Sequence, residues 1–488
     1  MTFPYKPNSS RHQFLLELST RINSDIYKRR FGTKNFIIVN GCEAIDKLLS
    51  TRANFLSEKP DLGASTNFIN YGAHRAKGVA WTFRKNILKN IFTFNPVVQH
   101  VIKEEMNNLF FEIEKSKYQS IRKLFEKVCT TISYRICFER HYTKKDRSFL
   151  IPIYSNIYNY SSNTGPLVNI ADLIYICRFI PKFKRKLNNF ENINRIIRLA
   201  CIRQIELHLI NPCTNNFSDG LDFLIDKRFN CKNFNKIFDD EENQIKFKQY
   251  YQYEKSRLNV KQYPLYYNLS NAECSLYSIT EDMIRSGSEA PIAVFSWFCV
   301  YMAYKPNIQQ KLYNEIVQNF IPPNADTTLL SNLYITENLA REIKYLKLVV
   351  IELLRCSSAG PMGKRNVTGS FEFTYQGKTH KFQNNDTVLL HYWSTMKDER
   401  HFRDPNDFNP ERWSKCSSNY EKDMLPFGIG ERKCPASHFM IDYISVLISN
   451  IIIRFKIKPK QPTSRIYFET IEGMTIIPKL DIFEFERI

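Results

Sequence analysis

The sequence predicts a mainly α protein with a smaller β portion drawn from both ends of the chain. Three observations carry this expectation. Apolar residues recur at helical spacing through most of 77–355, short alternating segments follow position 363, and one strand-like segment stands near the N-terminus. In chain order, Phe14-Leu15-Leu16-Glu17-Leu18 reads as helix, Asn35-Phe36-Ile37-Ile38-Val39 as strand and 42–52 as a second helix. Long helices are expected within 96–111, 193–209 and 280–304, and strands at 370–375 and 387–391. One more helix at 437–453 and a β-like tail complete the reading.

At about 150 residues per domain, 488 residues leave room for about three domains. A single domain over 1–488 is expected instead, because neither side of the one polar, low-complexity stretch, at about 228–271, looks complete alone. That stretch reads as a surface insertion. Hydrophobic residues make up 43% and aromatics 14%, with 37 Phe and 27 Tyr, which excludes intrinsic disorder, a collagen-like repeat and a disulfide miniprotein.

Lys and Arg total 69 against 49 Asp and Glu, a net charge of +20, so the surface attracts something anionic. The excess lies in short runs such as Lys28-Arg29-Arg30 and Lys182-Phe183-Lys184-Arg185-Lys186, which read as solvated basic surface. No nucleic-acid recognition motif accompanies the charge, so nucleic acid is not expected as a partner. The 12 Cys form no C-x-x-C pair and no secretory signal opens the chain, which points to reduced thiols inside a cell. The most apolar window, 290–304, falls short of the roughly 18 residues a membrane span needs. No transmembrane helix is predicted.

Chemistry concentrates in Pro426-Phe427-Gly428-Ile429-Gly430-Glu431-Arg432-Lys433-Cys434-Pro435-Ala436. Two glycines let a loop deliver a cysteine to the start of an apolar helix, with Pro435 suited to the first helical turn. The helix N-terminus and Arg432 are expected to favour a thiolate, which is a metal ligand. Read alone, Cys434 is more often an inert core residue, so the surrounding spacing decides.

Phe427-x-x-Gly430-x-Arg432-x-Cys434 resembles the haem-binding loop of the cytochrome P450 family. The resemblance implies the cytochrome P450 fold, a heme cofactor (iron protoporphyrin IX) and Cys434 as its proximal thiolate ligand, in the role known for such thiolates. It implies that Arg432 meets a haem propionate, that Gly428 and Gly430 turn the loop beneath the porphyrin beside Phe427, and that Ala436, where the family has glycine, still permits close packing. Glu352-Leu353-Leu354-Arg355 is similar to the family's E-x-x-R element, and Arg412 in Phe408-Asn409-Pro410-Glu411-Arg412-Trp413 is its expected third member. Arg365 stands where the family supplies another propionate contact. Trp81 with Arg84 and Lys85 resembles a W-x-x-x-R propionate motif in which Lys85 replaces the arginine, leaving open which cation reaches the haem.

The sequence departs from the family at Ser286-Gly287-Ser288-Glu289-Ala290-Pro291, where A/G-G-x-D/E-T-T/S is usual. The acid persists as Glu289, but Ala290 replaces the threonine of the proton relay. Pro291 has no N–H for the Gly287 carbonyl, so the helix is expected to open there. Ser286 or Ser288 is a candidate for the missing hydroxyl, although Ser288 also reads as a helix residue bonded to its own backbone.

The resemblance implies a haem-thiolate monooxygenase that inserts one oxygen atom from dioxygen into a hydrophobic organic substrate. Electrons would come from a separate NADPH-dependent reductase or ferredoxin, steered by the basic surface in a manner that weakens as salt rises. Two alternatives stay open: a haem-thiolate isomerase or dehydratase acting on a peroxide, and a haem-binding protein without turnover. The expected pocket draws on 60–77, 284–290, 358–362 and Gly473-Met474. The family's usual N-terminal membrane anchor is not expected here, which leaves a cytoplasmic or peripheral-membrane location. Phe179-Ile180-Pro181 beside its cations suits either an exposed loop or shallow membrane contact.

Overall fold

The computed structural model describes residues 11–31, 34–60, 73, 76–146, 181–213, 219–230, 252, 255–256, 258–269, 275–322, 333–414, 424–460, 469–472 and 475–488. The chain opens with α1 (Arg11–Ile22), the hairpin β1 (Ile26–Phe31) and β2 (Lys34–Val39), then α2 (Cys42–Thr51), α3 (Ala53–Leu56), α4 (Gly78–Ile91) and α5 (Pro96–Glu114). Next come β3 (Tyr118–Ser120), α6 (Ile121–Phe138), α7 (Pro181–Ile210), α8 (Gly220–Asn230), α9 (Pro264–Asn268), α10 (Ser275–Tyr304), α11 (Pro306–Phe320), α12 (Glu337–Glu342) and α13 (Lys344–Ser357). The strand-rich part holds β4 (Gly363–Asn366), β5 (Phe371–Tyr375), β6 (Lys378–Phe382), β7 (Thr387–Leu390) and α14 (Tyr392–Lys397). It is followed by α15 (Ser437–Ile452), β8 (Phe455–Pro459), β9 (Thr470–Glu472), β10 (Ile476–Pro478) and β11 (Ile482–Arg487).

Local chemistry sets many of these boundaries. Asn95 caps α5 by accepting the Val98 N–H at 2.9 Å, with Pro96 at the first helical position, and Ser120 caps α6 through the Lys123 N–H at 3.2 Å. The turn between β5 and β6 places Gln376 and Gly377 at φ 48° and 73°, the left-handed pair that a two-residue hairpin turn favours. α13 ends where Ser358 adopts φ 41°, ahead of Gly360 and Pro361.

The β portion does join the two ends of the chain. One sheet has the order β1-β2-β7-β4, with β2 parallel to β7 from Phe36 opposite Thr387 to Val39 opposite Leu390. β4 lies antiparallel on the other side of β7, and a second sheet runs β3-β11-β8. Through the centre passes α10, 30 residues and so about 45 Å long. It packs on α6, which is buried along nearly its whole length, within one continuous hydrophobic core. Gly287 permits the close approach of the two helices, since a Cβ there would lie 2.6 Å from the Ser133 Oγ.

Candidate active site

The loop ahead of α15 is folded by its own backbone. The Cys434 N–H donates to the Phe427 carbonyl at 2.9 Å, and Gly428 and Gly430 take φ 68° and 73°, a region that glycine enters without steric cost. The helix itself starts at Ser437, with Ala436 as its cap, so Pro435 lies in the preceding turn and not, as expected, in the first helical turn. The electrostatic expectation for Cys434 is also corrected. Burial raises its thiol above the ordinary range, against the downward pull of the Ala436 N–H and the Lys433 charge. Arg432 is not the group that opposes burial, because its guanidinium is engaged elsewhere: it stacks 4.4 Å from the Trp81 ring and donates through Nε to the Ser57 carbonyl at 2.8 Å.

Helix α4 braces the loop from one side. The Trp81 Nε1 and the Lys85 ammonium both donate to the Glu431 carbonyl, the former at 3.3 Å. Burial pulls the Lys85 amine downward, with the charges of Lys89 and Arg432 acting in the same sense. Arg84, its neighbour, is 2% exposed. Lys85 thus reaches the cysteine loop through the Glu431 carbonyl.

From β4, the buried Arg365 comes close enough to Arg432 for the two charges to repel. The Arg432 guanidinium is pulled down to about 10, by burial first and by Arg365 second. Its Nη1 is buried with no hydrogen-bond partner among the described residues. A buried cation and a half-buried one thus lie close together, one of them with an orphaned buried donor.

Beneath the loop lies a closed ionic network. Glu352 and Arg355 on α13 pair at 2.8 Å with neither side chain exposed, and Arg412 joins them through Nε at 3.0 Å. Arg355 also donates to the carbonyls of Met396, Pro405 and Asp407. Burial alone would raise the Glu352 carboxyl; the hydrogen bonds and charge of Arg355, the Asn409 N–H and the charge of Arg412 outweigh it and hold the group below its ordinary range.

On α10, Pro291 lies inside a helix that runs unbroken from Ser275 to Tyr304, while the Gly287 carbonyl loses the N–H that a residue other than proline would supply. Ser288 is buried and donates to the Ile284 carbonyl at 2.6 Å, so its hydroxyl is tied to its own helix. Ser286 is exposed and makes no hydrogen bond among the described residues. Burial raises the Glu289 carboxyl, opposed by the Arg285 charge.

The cytochrome P450 family profile matches residues 3–248 and 272–485, nearly the whole chain. The chain belongs to the cytochrome P450 family. Residues 249–271, outside the match, fall within the polar stretch at 228–271. Among curated relatives, cytochrome P450 1A1 of Chaetodon capistratus is 25% identical over 457 residues, covering 87% of this chain and 77% of that protein. Trans-cinnamate 4-monooxygenase of Populus kitakamiensis is 22% identical, covering 93% and 84%. A solved zebrafish cytochrome P450 with progesterone superposes with a TM-score of 0.72 at 16% identity, over 98% of this chain and all of that one.

This P450 is thus a monooxygenase and an oxidoreductase of a family that binds haem and its iron. The residues present fit that group: a thiol on a braced loop, the buried Arg365, and Arg432 with one buried nitrogen, Nη1, that has no hydrogen-bond partner among the described residues. Among the described residues, no helix is long and apolar enough to cross a membrane. Most of 60–77, the Gly473-Met474 turn, most of 228–271 and Phe179-Ile180 lie outside the described residues. No sequence motif marks Tyr392. Its side chain is buried against Gly363 of β4 and Gly428 of the cysteine loop, and its hydroxyl lies within reach of the Arg365 charge.

Proposed function

We propose that this chain is a haem-thiolate monooxygenase inserting one oxygen atom from dioxygen into a hydrophobic organic substrate, with electrons from a separate NADPH-dependent reductase or ferredoxin. The observation that carries the reading is the Cys434 loop beside the paired cations Arg365 and Arg432. In this reading Cys434 binds the iron, with the Ala436 N–H and the Lys433 charge favouring its sulfur anion. Arg432 and Arg365 take the propionates, and Trp81 and Lys85 hold the loop through the Glu431 carbonyl. Arg84, the neighbour of Lys85 in the chain, is buried and stays the alternative cation at this motif. Phe427, Gly428, Gly430 and Ala436 keep the loop close and apolar around the sulfur. The haem, once bound, supplies the redox chemistry that activates dioxygen.

On the opposite side, the residues of α10 handle protons. Glu289 keeps its carboxyl proton to higher pH than an exposed glutamate, which suits a donor at Oε. Ser286, the serine not tied to the helix, is the hydroxyl proposed to relay with it. Membership of the family favours a hydrophobic small-molecule substrate. Zebrafish P450s solved with progesterone and with abiraterone hold ligands of this general kind. The basic surface, +20 overall, suits an acidic redox partner. Free cysteines throughout the described residues support an intracellular location, in the cytoplasm or against a membrane surface.

A second reading, a haem-thiolate isomerase or dehydratase acting on a peroxide, is favoured by Ala290 and by the engagement of Ser288 with Ile284. Such chemistry needs no proton delivery to dioxygen. The test has three arms. The reduced carbon-monoxide complex should show the strongly red-shifted Soret band of thiolate ligation, and Cys434→Ser should abolish it. Product formed only with NADPH and reductase supports the monooxygenase, whereas product formed only from an added hydroperoxide, without reductant, overturns it in favour of the second reading. Binding without turnover in either arm, across varied substrates, leaves a haem protein that is not an enzyme.

A further inference from the structure

We propose that Tyr392 is a positioning residue for the haem propionates, its hydroxyl fixing the Arg365 guanidinium beside Arg432 and its ring bracing the cysteine loop at Gly428. The inference rests on the haem-thiolate reading above.

Sheet register places the phenol. Gly363 stands opposite Leu390 and Arg365 opposite Val388, so Gly363 and Arg365, two residues apart on β4, present to the same face. Tyr392 follows β7 by two residues and lays its ring into the space that Gly363 leaves. A Cβ at Gly363 would lie 2.5 Å from the Tyr392 Oη and 2.9 Å from its Cζ, so no other residue fits there without displacing the phenol. At Gly428 a Cβ would approach the same oxygen to 3.2 Å, and that glycine also needs its φ of 68°. One side chain, 6% exposed, thus spans the strand that bears Arg365 and the loop that bears Cys434.

The chemistry follows from the donors. A guanidinium carries donors only, so towards the phenol oxygen Arg365 can only donate and Tyr392 only accept. Burial raises the Tyr392 hydroxyl while the Arg365 charge pulls it down, so at neutral pH the phenol stays protonated and neutral, with its oxygen free to accept from the guanidinium.

Tyr392→Phe keeps the ring and removes the hydroxyl. In hemin-loaded protein mixed with excess apomyoglobin, it should accelerate hemin loss about ten- to a hundredfold, the range for a hydrogen bond to a charged group. The propionate bending modes in the resonance Raman spectrum should shift while the iron–sulfur stretch persists. Gly363→Ala should reproduce the faster loss by pushing the phenol away.

The decisive comparison is Tyr392→Phe in an Arg365→Ala background, where it should add less than twofold. Hemin loss within twofold of wild type for Tyr392→Phe alone, or its full effect persisting without Arg365, overturns the proposal. A wild type that takes up no hemin overturns the haem-thiolate reading and this inference together. A wild type with thiolate ligation whose Tyr392→Phe variant behaves identically overturns this inference alone.

Discussion

Replacing Glu352 with Gln probes the network beneath the cysteine loop with little change of shape. The wild-type carboxylate accepts five hydrogen bonds from N–H donors: from Arg355 Nη2 and Nε at 2.8 and 2.9 Å, Arg412 Nε at 3.0 Å, the Asn409 N–H at 3.0 Å and Trp413 Nε1 at 2.8 Å. A glutamine offers one oxygen, so an NH2 group must face at least two of these donors, and Arg355, wholly buried, loses its anion. Removing one partner of a buried pair costs about 3–5 kcal/mol. Taking a urea m-value of about 3 kcal/mol/M, the midpoint should fall by about 1 M or more, read by circular dichroism on hemin-loaded protein. The difference should depend on pH. Because the folded-state pKa of Glu352 lies below the ordinary value, its contribution is fully present above the unfolded pKa and is lost as pH falls through the folded one. Wild type and variant should therefore converge in acid. A loss below about 1 kcal/mol at neutral pH, or one that persists undiminished in acid, would refute the assignment of this energy to the carboxylate.

Two further outcomes follow from α10. Gly287→Ala sets a methyl group 2.6 Å from the Ser133 Oγ and should destabilise by about 1–3 kcal/mol in thermal unfolding; Ser133→Gly should recover part of that loss, and no recovery would mean that another contact is responsible. Glu289→Gln should lower turnover by about a hundredfold. Because burial raises the wild-type carboxyl, wild-type turnover should decline as pH climbs through that raised pKa; the variant's pH profile should lose this basic limb, and an unchanged limb would remove Glu289 from proton delivery.

Much of the fold was legible because the long helices carry uninterrupted apolar periodicity; α5, α10 and α15 all lie where the pattern puts them. β1 was not, for a physical reason. Its Lys28-Arg29-Arg30 reads as a solvated charge run, yet β1 is the outer strand of its sheet, where cations blunt an open edge. The E-x-x-R pair and Arg412 were readable from spacing, and the three charges do meet. Local spacing could not reveal Tyr392, whose place depends on the pairing of β4 with β7 and on space left by Gly363 and Gly428. The thiol electrostatics misled because sequence supplies the nearby cation but not its direction: Arg432 is turned to Trp81 and Ser57.

The two sides of the site face different physical demands. A sulfur ligand works only if its position is fixed, and the cysteine loop is held by α4 through Glu431, by the Ser57 carbonyl through Arg432, and by Tyr392 at Gly428. Proton delivery needs groups that exchange with water, and there α10 offers a glutamate with a raised pKa, one untied serine and a carbonyl freed by Pro291. The departure at Ala290 lies wholly on this second side. It changes which atoms carry a proton and leaves every brace of the cysteine loop in place. Iron ligation and turnover are therefore separable by substitution: changes at Glu289 or Ser286 should alter rate and pH profile with the thiolate spectrum intact, whereas changes at Arg365, Arg432 or Tyr392 should act first on hemin retention.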